Sequence, residues 1–282
     1  MIFNEFKTLR DSLFLGKTYI SGKLNLDKII SEIKTVLKEN DNGIDRGLIL
    51  EIFSETENDK NKSILIFFYK DNYLVQEFND FSCLKFDENK LISMYDGFYK
   101  NEFDESFIDS LVKKLIKNKR NITSMESCTS GMVANLVTNT EGASSILKGA
   151  YVTYSNEAKV MAGVDKDLID CFGVYSIETA DAMAYNSKLD FKANIGIGVT
   201  GTTGNVDPAN GDSIQGEIYY TVDSDNGVVR CKLKLDTNGL SRKQIKEIIC
   251  GNIFRSLSFS EGIWYEKNIY WVWLSKYRVY VL

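Results

Sequence analysis

The chain of 282 residues contains no histidine. This absence excludes a Ser-His-Asp triad, a Cys-His catalytic pair and every metal site that needs a histidine ligand. Any general base in this protein must therefore be a lysine, an aspartate, a glutamate, a tyrosine or a water molecule.

Cysteines and long apolar runs are also sparse. The five cysteines form no Cys-X-X-Cys pair, and their odd number and irregular spacing predict reduced thiols. No apolar run reaches the roughly 18 residues that a membrane-spanning helix needs. The first residues, MIFNEFKTLRDSLF, lack the apolar centre of a signal peptide. We therefore expect a cytoplasmic protein.

The charge balance gives no sign of a macromolecular partner. The 34 basic and 39 acidic residues leave a net charge of −5, so we expect neither nucleic acid nor a membrane surface as partner. The hydrophobic fraction of 44% allows a real core, and the length suits one large or two ordinary domains.

Residues 1–103 predict a small α+β domain with an antiparallel sheet. Apolar residues recur at helical spacing over residues 29–37, after Asp27, which is suited to be an N-cap. Three strand-like runs follow at residues 48–53, 63–69 and 73–78, and the pair Asp71-Asn72 indicates a tight hairpin between the last two. This region shows no chemical motif, and its role stays open.

The second half alternates strand-like and helix-like segments, which is typical of a layered α/β domain. Asp104, Ser155 and Ser176 are each placed to cap a helix. Residues 193–200, ANIGIGVT, form the near-continuous apolar run of a buried strand. We predict one domain over residues 104–260. An aromatic tail over residues 261–282 follows, which could be a strand, a dimer-interface element or a non-native end of the reading frame.

A turn with the sequence ESCTSG lies between a predicted strand and a predicted helix. Ser127 in this turn would meet unpaired backbone N–H groups at the helix start, and such donors can stabilise an oxyanion. The pattern also fits a plain helix cap made by Ser127, Thr129 and Ser130, and on this segment alone the cap is favoured. Cys128 is a second possible nucleophile, but without histidine it fits a small buried residue better.

The segment VTYSNEAK offers a candidate base. Ser155 opens a helix, Lys159 follows one turn later, and Tyr154 ends the preceding strand, so Tyr154 and Lys159 could face one cleft. A lysine beside a serine can accept its proton if the lysine pKa falls from about 10.4 toward 7, which costs roughly 4 kcal/mol. The alternative is a solvent-facing lysine on a short helix, which this segment alone favours.

A glycine-rich loop, TGTTGNVDPANGDSIQG, follows the predicted buried strand and holds the single proline of the chain, Pro208. Ligands bind at the carboxyl ends of strands in α/β sheets, where small residues let backbone amides approach a phosphate. Connector loops of this composition are common, so the loop by itself is a weak signal.

Taken together in this order, three segments resemble the C-terminal domain of the CinA family, whose stand-alone form is nicotinamide-nucleotide amidase. They are TSMESCTSGMVANLVTNTEGASSILKGAYVTYSNEAKVMAGVD, GVYS and GVTGTTGNVDPAN. The resemblance covers residues 104–260. It implies an α/β fold that commonly assembles as dimers. It also implies hydrolysis of nicotinamide mononucleotide to nicotinate mononucleotide and ammonia, without a metal or other cofactor. We therefore expect a small-molecule substrate and a homodimer or higher homo-oligomer.

The resemblance also implies roles for individual residues. Ser127 would be the nucleophile, Lys159 the base, and Tyr154 a proton relay or the residue that orients Lys159. Backbone amides from Cys128 to Gly131 would form the oxyanion site, and Glu126 would bind ligand or hold the turn. The expected substrate-binding residues are Glu126, Cys128, Thr129, Gly131, Thr200, Gly201, Thr202, Thr203, Gly204 and Asn205.

The sequence departs from the family pattern in three places. Ser130 replaces the first glycine of the common form ESCTGG, which is tolerated if its φ is negative. The glycine-rich loop lacks the Gly-Pro and the later Lys-Pro of the common form, which leaves its phosphate contact open. Residues 1–103 do not resemble the molybdopterin-binding-like domain of full-length CinA proteins. A non-catalytic CinA-like binding protein and an amidohydrolase for another amide remain the alternatives.

Overall fold

The computed structural model describes residues 103–204, 210–211 and 213–263, and before them the backbone of five strands. Those strands are β1 (Tyr19–Ile20), β2 (Lys23–Leu24), β3 (Arg46–Phe53), β4 (Lys62–Tyr69) and β5 (Asn72–Phe78). The predicted helix over residues 29–37 and the tail beyond residue 263 lie outside the described residues.

Helices and strands alternate through the C-terminal half of the described chain. In chain order they are α1 (Glu105–Lys117), β6 (Ile122–Glu126), α2 (Met132–Thr138), a 3-10 turn (Ala143–Ser145), β7 (Leu147–Val152), α3 (Asn156–Met161), α4 (Lys166–Phe172), α5 (Ile177–Asp190), β8 (Ile195–Gly201), β9 (Glu217–Ser224), β10 (Gly227–Lys234) and α6 (Arg242–Ser260). This order confirms the layered α/β fold that the sequence predicts.

One sheet of eight strands runs through both halves of the described chain, in the order β3-β4-β5-β10-β9-β8-β6-β7. β6 is parallel to β7 and β8, whereas the other neighbouring strands of this sheet are antiparallel. The antiparallel pairing of β3, β4 and β5 confirms the prediction for the N-terminal strands. Because β5 also pairs with β10, these strands extend the C-terminal sheet.

The two faces of β8 explain its alternation of isoleucine and glycine. Ile195, Ile197 and Val199 join the apolar core that α1, α2 and α6 cover. Gly196 and Gly198 face α5, which lies so close that a Cβ at Gly198 would sit 2.0 Å from a backbone carbonyl oxygen of α5. Any larger side chain at Gly198 would therefore push α5 away from the sheet.

Three helices begin at the polar capping residues that the sequence predicts. The side chains of Asp104, Ser155 and Ser176 each accept a hydrogen bond from the backbone N–H three residues later. These contacts confirm the predicted starts of α1, α3 and α5, because each satisfies a donor that has no partner within the helix.

The parallel strands create the edge at which the candidate site lies. β6 runs between β7 and β8, and Glu126 at its end pairs with Val152 on one side and Val199 on the other. Since parallel strands end at the same edge of a sheet, the residues after β6 and β7, Ser127 and Thr153, are neighbours at this edge.

Candidate active site

Ser127 is the first residue after β6 and is held by its backbone. Its N–H donates to the carbonyl of Val199 in β8 (3.0 Å), which anchors the start of the turn to the neighbouring strand. Its carbonyl accepts a hydrogen bond from the N–H of Ser130 (3.1 Å), so the chain reverses direction before α2 begins. The side chain of Ser127 is 7% exposed. The turn therefore fixes this hydroxyl at a buried position beside two strand ends.

The fully buried carboxylate of Glu126 stabilises the turn that contains Ser127. One carboxylate oxygen accepts hydrogen bonds from the Ser124 hydroxyl and the Ala134 N–H, both at 3.0 Å. The other accepts from the Thr129 hydroxyl (2.7 Å) and the Val133 N–H (3.0 Å). The carboxylate thus ties the end of β6 to the first turn of α2. Of the two roles that the sequence left open for Glu126, this geometry favours holding the turn over binding a ligand.

The turn uses two consecutive residues with positive φ, and this differs from the sequence expectation. Ser130 has φ +54° and Gly131 has φ +86°. A serine at this position was expected to be tolerated if its φ were negative, and its φ is positive. A left-handed conformation disfavours any residue with a Cβ, so Ser130 carries local strain at the site. Within the described residues, the backbone N–H groups of Thr129 and Gly131 make no hydrogen bond.

Lys159 meets Ser127 in the interior of the domain. It lies in α3, directly after the strand β7 that borders β6, and its side chain is 1% exposed. Its Nζ lies 3.1 Å from the Oγ of Ser127 and 3.0 Å from the backbone carbonyl oxygen of Thr153. Both of these contacts are with uncharged oxygen atoms. The structure therefore places a buried amine within hydrogen-bonding distance of a buried hydroxyl.

Tyr154 lies in a different environment from the one expected for a proton relay. Its side chain is 64% exposed, and its hydroxyl accepts a hydrogen bond from the guanidinium of Arg242 (3.4 Å). Within the described residues, no hydrogen bond joins this hydroxyl to Ser127 or Lys159. The geometry therefore places Tyr154 at the rim of the site and supports neither a relay nor an orienting contact with Lys159.

Burial of the thiols argues against a cysteine nucleophile. Burial and the nearby Glu126 carboxylate raise the pKa of Cys128 to about 12, so its thiol is protonated near neutral pH. Burial likewise raises the pKa of Cys250, which lies in α6. Because the thiolate is the reactive form, Cys128 is better described as a small buried side chain next to Ser127.

The glycine-rich segment begins at the same edge, with Thr200 and Gly201 as the last two residues of β8. Thr200, Thr202 and Thr203 are buried there, and the Thr200 hydroxyl donates to the carbonyl of Val174 (3.0 Å). The hydroxyl of Thr202 is buried without a hydrogen-bond partner. Gly201 and Gly204 are described, whereas Asn205 and Pro208 lie outside the described residues.

Arg242, which the sequence argument did not single out, lies beside this loop. A Cβ built on Gly204 would sit 3.0 Å from one terminal nitrogen of the Arg242 guanidinium, and the other terminal nitrogen contacts the Tyr154 hydroxyl. The helix α6 starts at Arg242, so a basic side chain from far along the sequence reaches both predicted segments. The charged start of α6, SRKQIK, was a signal for it.

Two general properties hold for the residues that the structure describes. No group of three or more cysteine, aspartate and glutamate side chains within them could hold a metal ion. No helix that the structure describes is both long and apolar enough to cross a membrane.

The fold and this geometry define an α/β protein with a buried serine–lysine pair at the carboxyl edge of parallel strands. A family model described as the CinA C-terminal domain matches residues 104–259. The chain therefore belongs to the CinA C-terminal domain family, as the resemblance of its motifs predicted.

Relatives and solved structures agree with this assignment. The chain is 36% identical over 110 residues to a CinA-like protein of Flavobacterium psychrophilum, which covers 38% of this chain and 26% of the relative. It is 41% identical over 86 residues to a CinA-like protein of Petrotoga mobilis, which covers 30% of this chain and 21% of the relative. The matched segments thus span about a quarter of the curated relatives.

Among solved structures, the competence/damage inducible protein CihA of Agrobacterium tumefaciens is similar to this chain with a TM-score of 0.50 and 26% identity. The alignment covers 55% of this chain and 96% of that protein. The C-terminal half of this chain therefore corresponds to nearly the whole of that structure.

Proposed function

We propose that residues 104–260 form a serine-dependent amidohydrolase that converts nicotinamide mononucleotide to nicotinate mononucleotide and ammonia. The observation that carries this proposal is the buried contact between Lys159 Nζ and Ser127 Oγ at 3.1 Å. A lysine this deeply buried is rare in proteins, because removing an ammonium from water is costly. Its contact with the Ser127 hydroxyl places this amine where a base for that hydroxyl is needed.

The chemistry uses the two side chains in sequence. Lys159 takes the proton of the Ser127 hydroxyl as the oxygen attacks the carboxamide carbon, which gives a tetrahedral intermediate. Lys159 then gives that proton to the amide nitrogen, the C–N bond breaks, and ammonia leaves. A water molecule, deprotonated by Lys159, attacks the resulting ester, and the carboxylate product departs as Ser127 regains its proton. The sum is one amide and one water converted to one acid and one ammonia.

The Ser127 turn can supply donors for the negative oxygen of the intermediate. The N–H groups of Thr129 and Gly131 are without partners in the described residues and belong to the same tight turn as Ser127. The Glu126 carboxylate fixes this turn, so the donors would be in place before the substrate arrives. Such pre-arranged donors typically account for about 10²–10³ in kcat.

Arg242 is our candidate for the phosphate contact that the glycine-rich loop left open. Its guanidinium lies next to Gly204 and the Tyr154 hydroxyl, and Tyr154 directly follows Thr153, whose carbonyl contacts Lys159. A guanidinium can donate two parallel hydrogen bonds to a phosphate. The positive charge that a lysine of the glycine-rich loop supplies in the common form of the family would then come from Arg242 in α6.

Ammonia release from nicotinamide mononucleotide by the purified full-length protein tests the proposal. Release by the wild-type protein and a loss of several orders of magnitude in Ser127→Ala, with unchanged folding, would support it. The matched control is Cys128→Ser, which should keep substantial activity. Binding without ammonia release would favour the non-catalytic alternative. Ammonia release from other carboxamides only would support the proposed Ser127–Lys159 chemistry. It would contradict the assignment of nicotinamide mononucleotide as the substrate.

A further inference from the structure

Thr153 has one polar group without a partner at the centre of the site. Its N–H donates to the carbonyl of Glu126 (2.8 Å), and its carbonyl accepts from Lys159 Nζ (3.0 Å). Its hydroxyl is buried and makes no hydrogen bond, and the residue is only 3% exposed. A buried hydroxyl without a partner typically costs about 1–3 kcal/mol. An orphaned hydroxyl that directly follows a strand end is therefore a candidate for ligand binding.

The position of Thr153 relates it to the reacting groups. Because Val152 pairs with Glu126, Thr153 lies at the level of Ser127 on the adjacent strand, about 5 Å away. Thr202, whose hydroxyl is also without a partner, lies two residues beyond this level along the β8 side. Thr153 is thus a residue with an unpartnered hydroxyl that neighbours Ser127 in the sheet and contacts Lys159 through its carbonyl.

The two sides of Ser127 differ in what they offer to a carboxamide. The turn toward α2 has backbone N–H donors, which suit the carbonyl oxygen. The leaving nitrogen must instead come within hydrogen-bonding reach of Lys159 Nζ, which is anchored on the Thr153 carbonyl. A primary amide nitrogen carries two hydrogens, and Thr153, whose carbonyl contacts Lys159, also has a hydroxyl oxygen that is an acceptor without a partner.

We infer that the Thr153 hydroxyl accepts a hydrogen bond from the NH2 group of the scissile carboxamide, so that the site favours amides that carry an N–H over amides that have none. This inference rests on the proposed amidase function. The hydroxyl has no hydrogen-bond partner within the protein and would gain one from an amide that carries an N–H. An amide whose nitrogen carries two methyl groups has no N–H and gains nothing from Thr153.

Thr153→Val tests this inference because valine has the shape of threonine without the hydroxyl. Thr153→Ser keeps the hydroxyl and should keep activity. The matched control is Thr123→Val, since Thr123 is fully buried in β6 but its hydroxyl donates to the Gly149 carbonyl (2.8 Å). We expect Thr153→Val to leave the melting temperature unchanged or higher and Thr123→Val to lower it, because only the control loses a hydrogen bond.

Binding is measured by calorimetry in full-length Ser127→Ala protein, where no turnover occurs. The ligands are nicotinamide mononucleotide and its N,N-dimethylcarboxamide analogue. Adding Thr153→Val should weaken the primary amide about tenfold and change the dimethyl analogue by less than about twofold. Adding Thr123→Val should change neither affinity.

Three outcomes would overturn the inference. Equal weakening of both ligands by Thr153→Val would assign the residue a structural role. Unchanged binding of the primary amide would show that the hydroxyl does not contact it. If the wild-type protein released no ammonia and the Ser127→Ala protein bound neither ligand, the amidase proposal itself would fail, and this inference with it.

Discussion

The Glu126→Gln substitution would place an NH2 group where a carboxylate oxygen now accepts two hydrogen bonds, one from a hydroxyl and one from a backbone N–H. The hydroxyl can rotate and accept from the new NH2, but the backbone N–H cannot. One buried N–H therefore loses its partner, at about 1–3 kcal/mol, and three bonds lose the help of a negative charge, at about 0.5–1 kcal/mol each. We expect the free energy of unfolding to fall by about 2.5–6 kcal/mol.

Urea unfolding followed by circular dichroism measures this change, with ammonia release measured on the same samples. Glu141→Gln is the matched control, since Glu141 is exposed and the substitution removes the same charge. The control should stay within about 0.5 kcal/mol of the wild type. If Glu126→Gln also stayed within that range, the carboxylate would not be what holds the Ser127 turn. A stable but inactive Glu126→Gln protein would move Glu126 into the chemistry.

Three further predictions concern the base, the strained turn and the anion contact. Lys159→Met and Lys159→Arg should both abolish turnover, because only a neutral amine accepts a proton. For the same reason the kcat of the wild-type protein should rise with pH. Substantial activity of Lys159→Arg would contradict the role of Lys159 as the base. Ser130→Gly should raise the free energy of unfolding by about 0.5–1 kcal/mol, because glycine adopts φ +54° without strain. The control Ser110→Gly, within α1, should lower the free energy of unfolding by a similar amount. A destabilised Ser130→Gly protein would argue against strain at Ser130. Arg242→Gln should raise the KM for nicotinamide mononucleotide about tenfold with little change in kcat, while Lys243→Gln, which breaks only an exposed pair with Glu247, should leave both unchanged.

The alternation of polar and apolar residues was sufficient to predict most of the fold. The N-terminal strands, the buried strand β8 and the capped starts of α1, α3 and α5 all follow from local patterns. The pairing of β5 with β10 could not be predicted in this way, because it joins residues about 150 positions apart and no local pattern encodes the partner of a strand.

The candidate site was also predicted only in part, because its motifs are local in the sequence and its contacts join distant residues. Ser127 and Lys159 were singled out by motif, and their contact at 3.1 Å depends on β6 and β7 being adjacent and parallel. The contact of Arg242 with Tyr154 was missed because it joins residues 88 positions apart. The positive φ of Ser130 was also missed, since serine is not a residue that signals a left-handed turn.

The pairing of β5 with β10 has a consequence for any shortened form of this protein. A chain cut at residue 104 would leave the backbone of β10 from Gly227 to Lys232 without its partner strand. Such a free edge is a template for self-association between molecules. β10 carries Arg230, Lys232 and Lys234 at alternate positions, but these cations pair with the carboxylates of Asp181 and Glu217 and leave little net charge along the edge. The shortened chain should therefore aggregate more readily than the full chain.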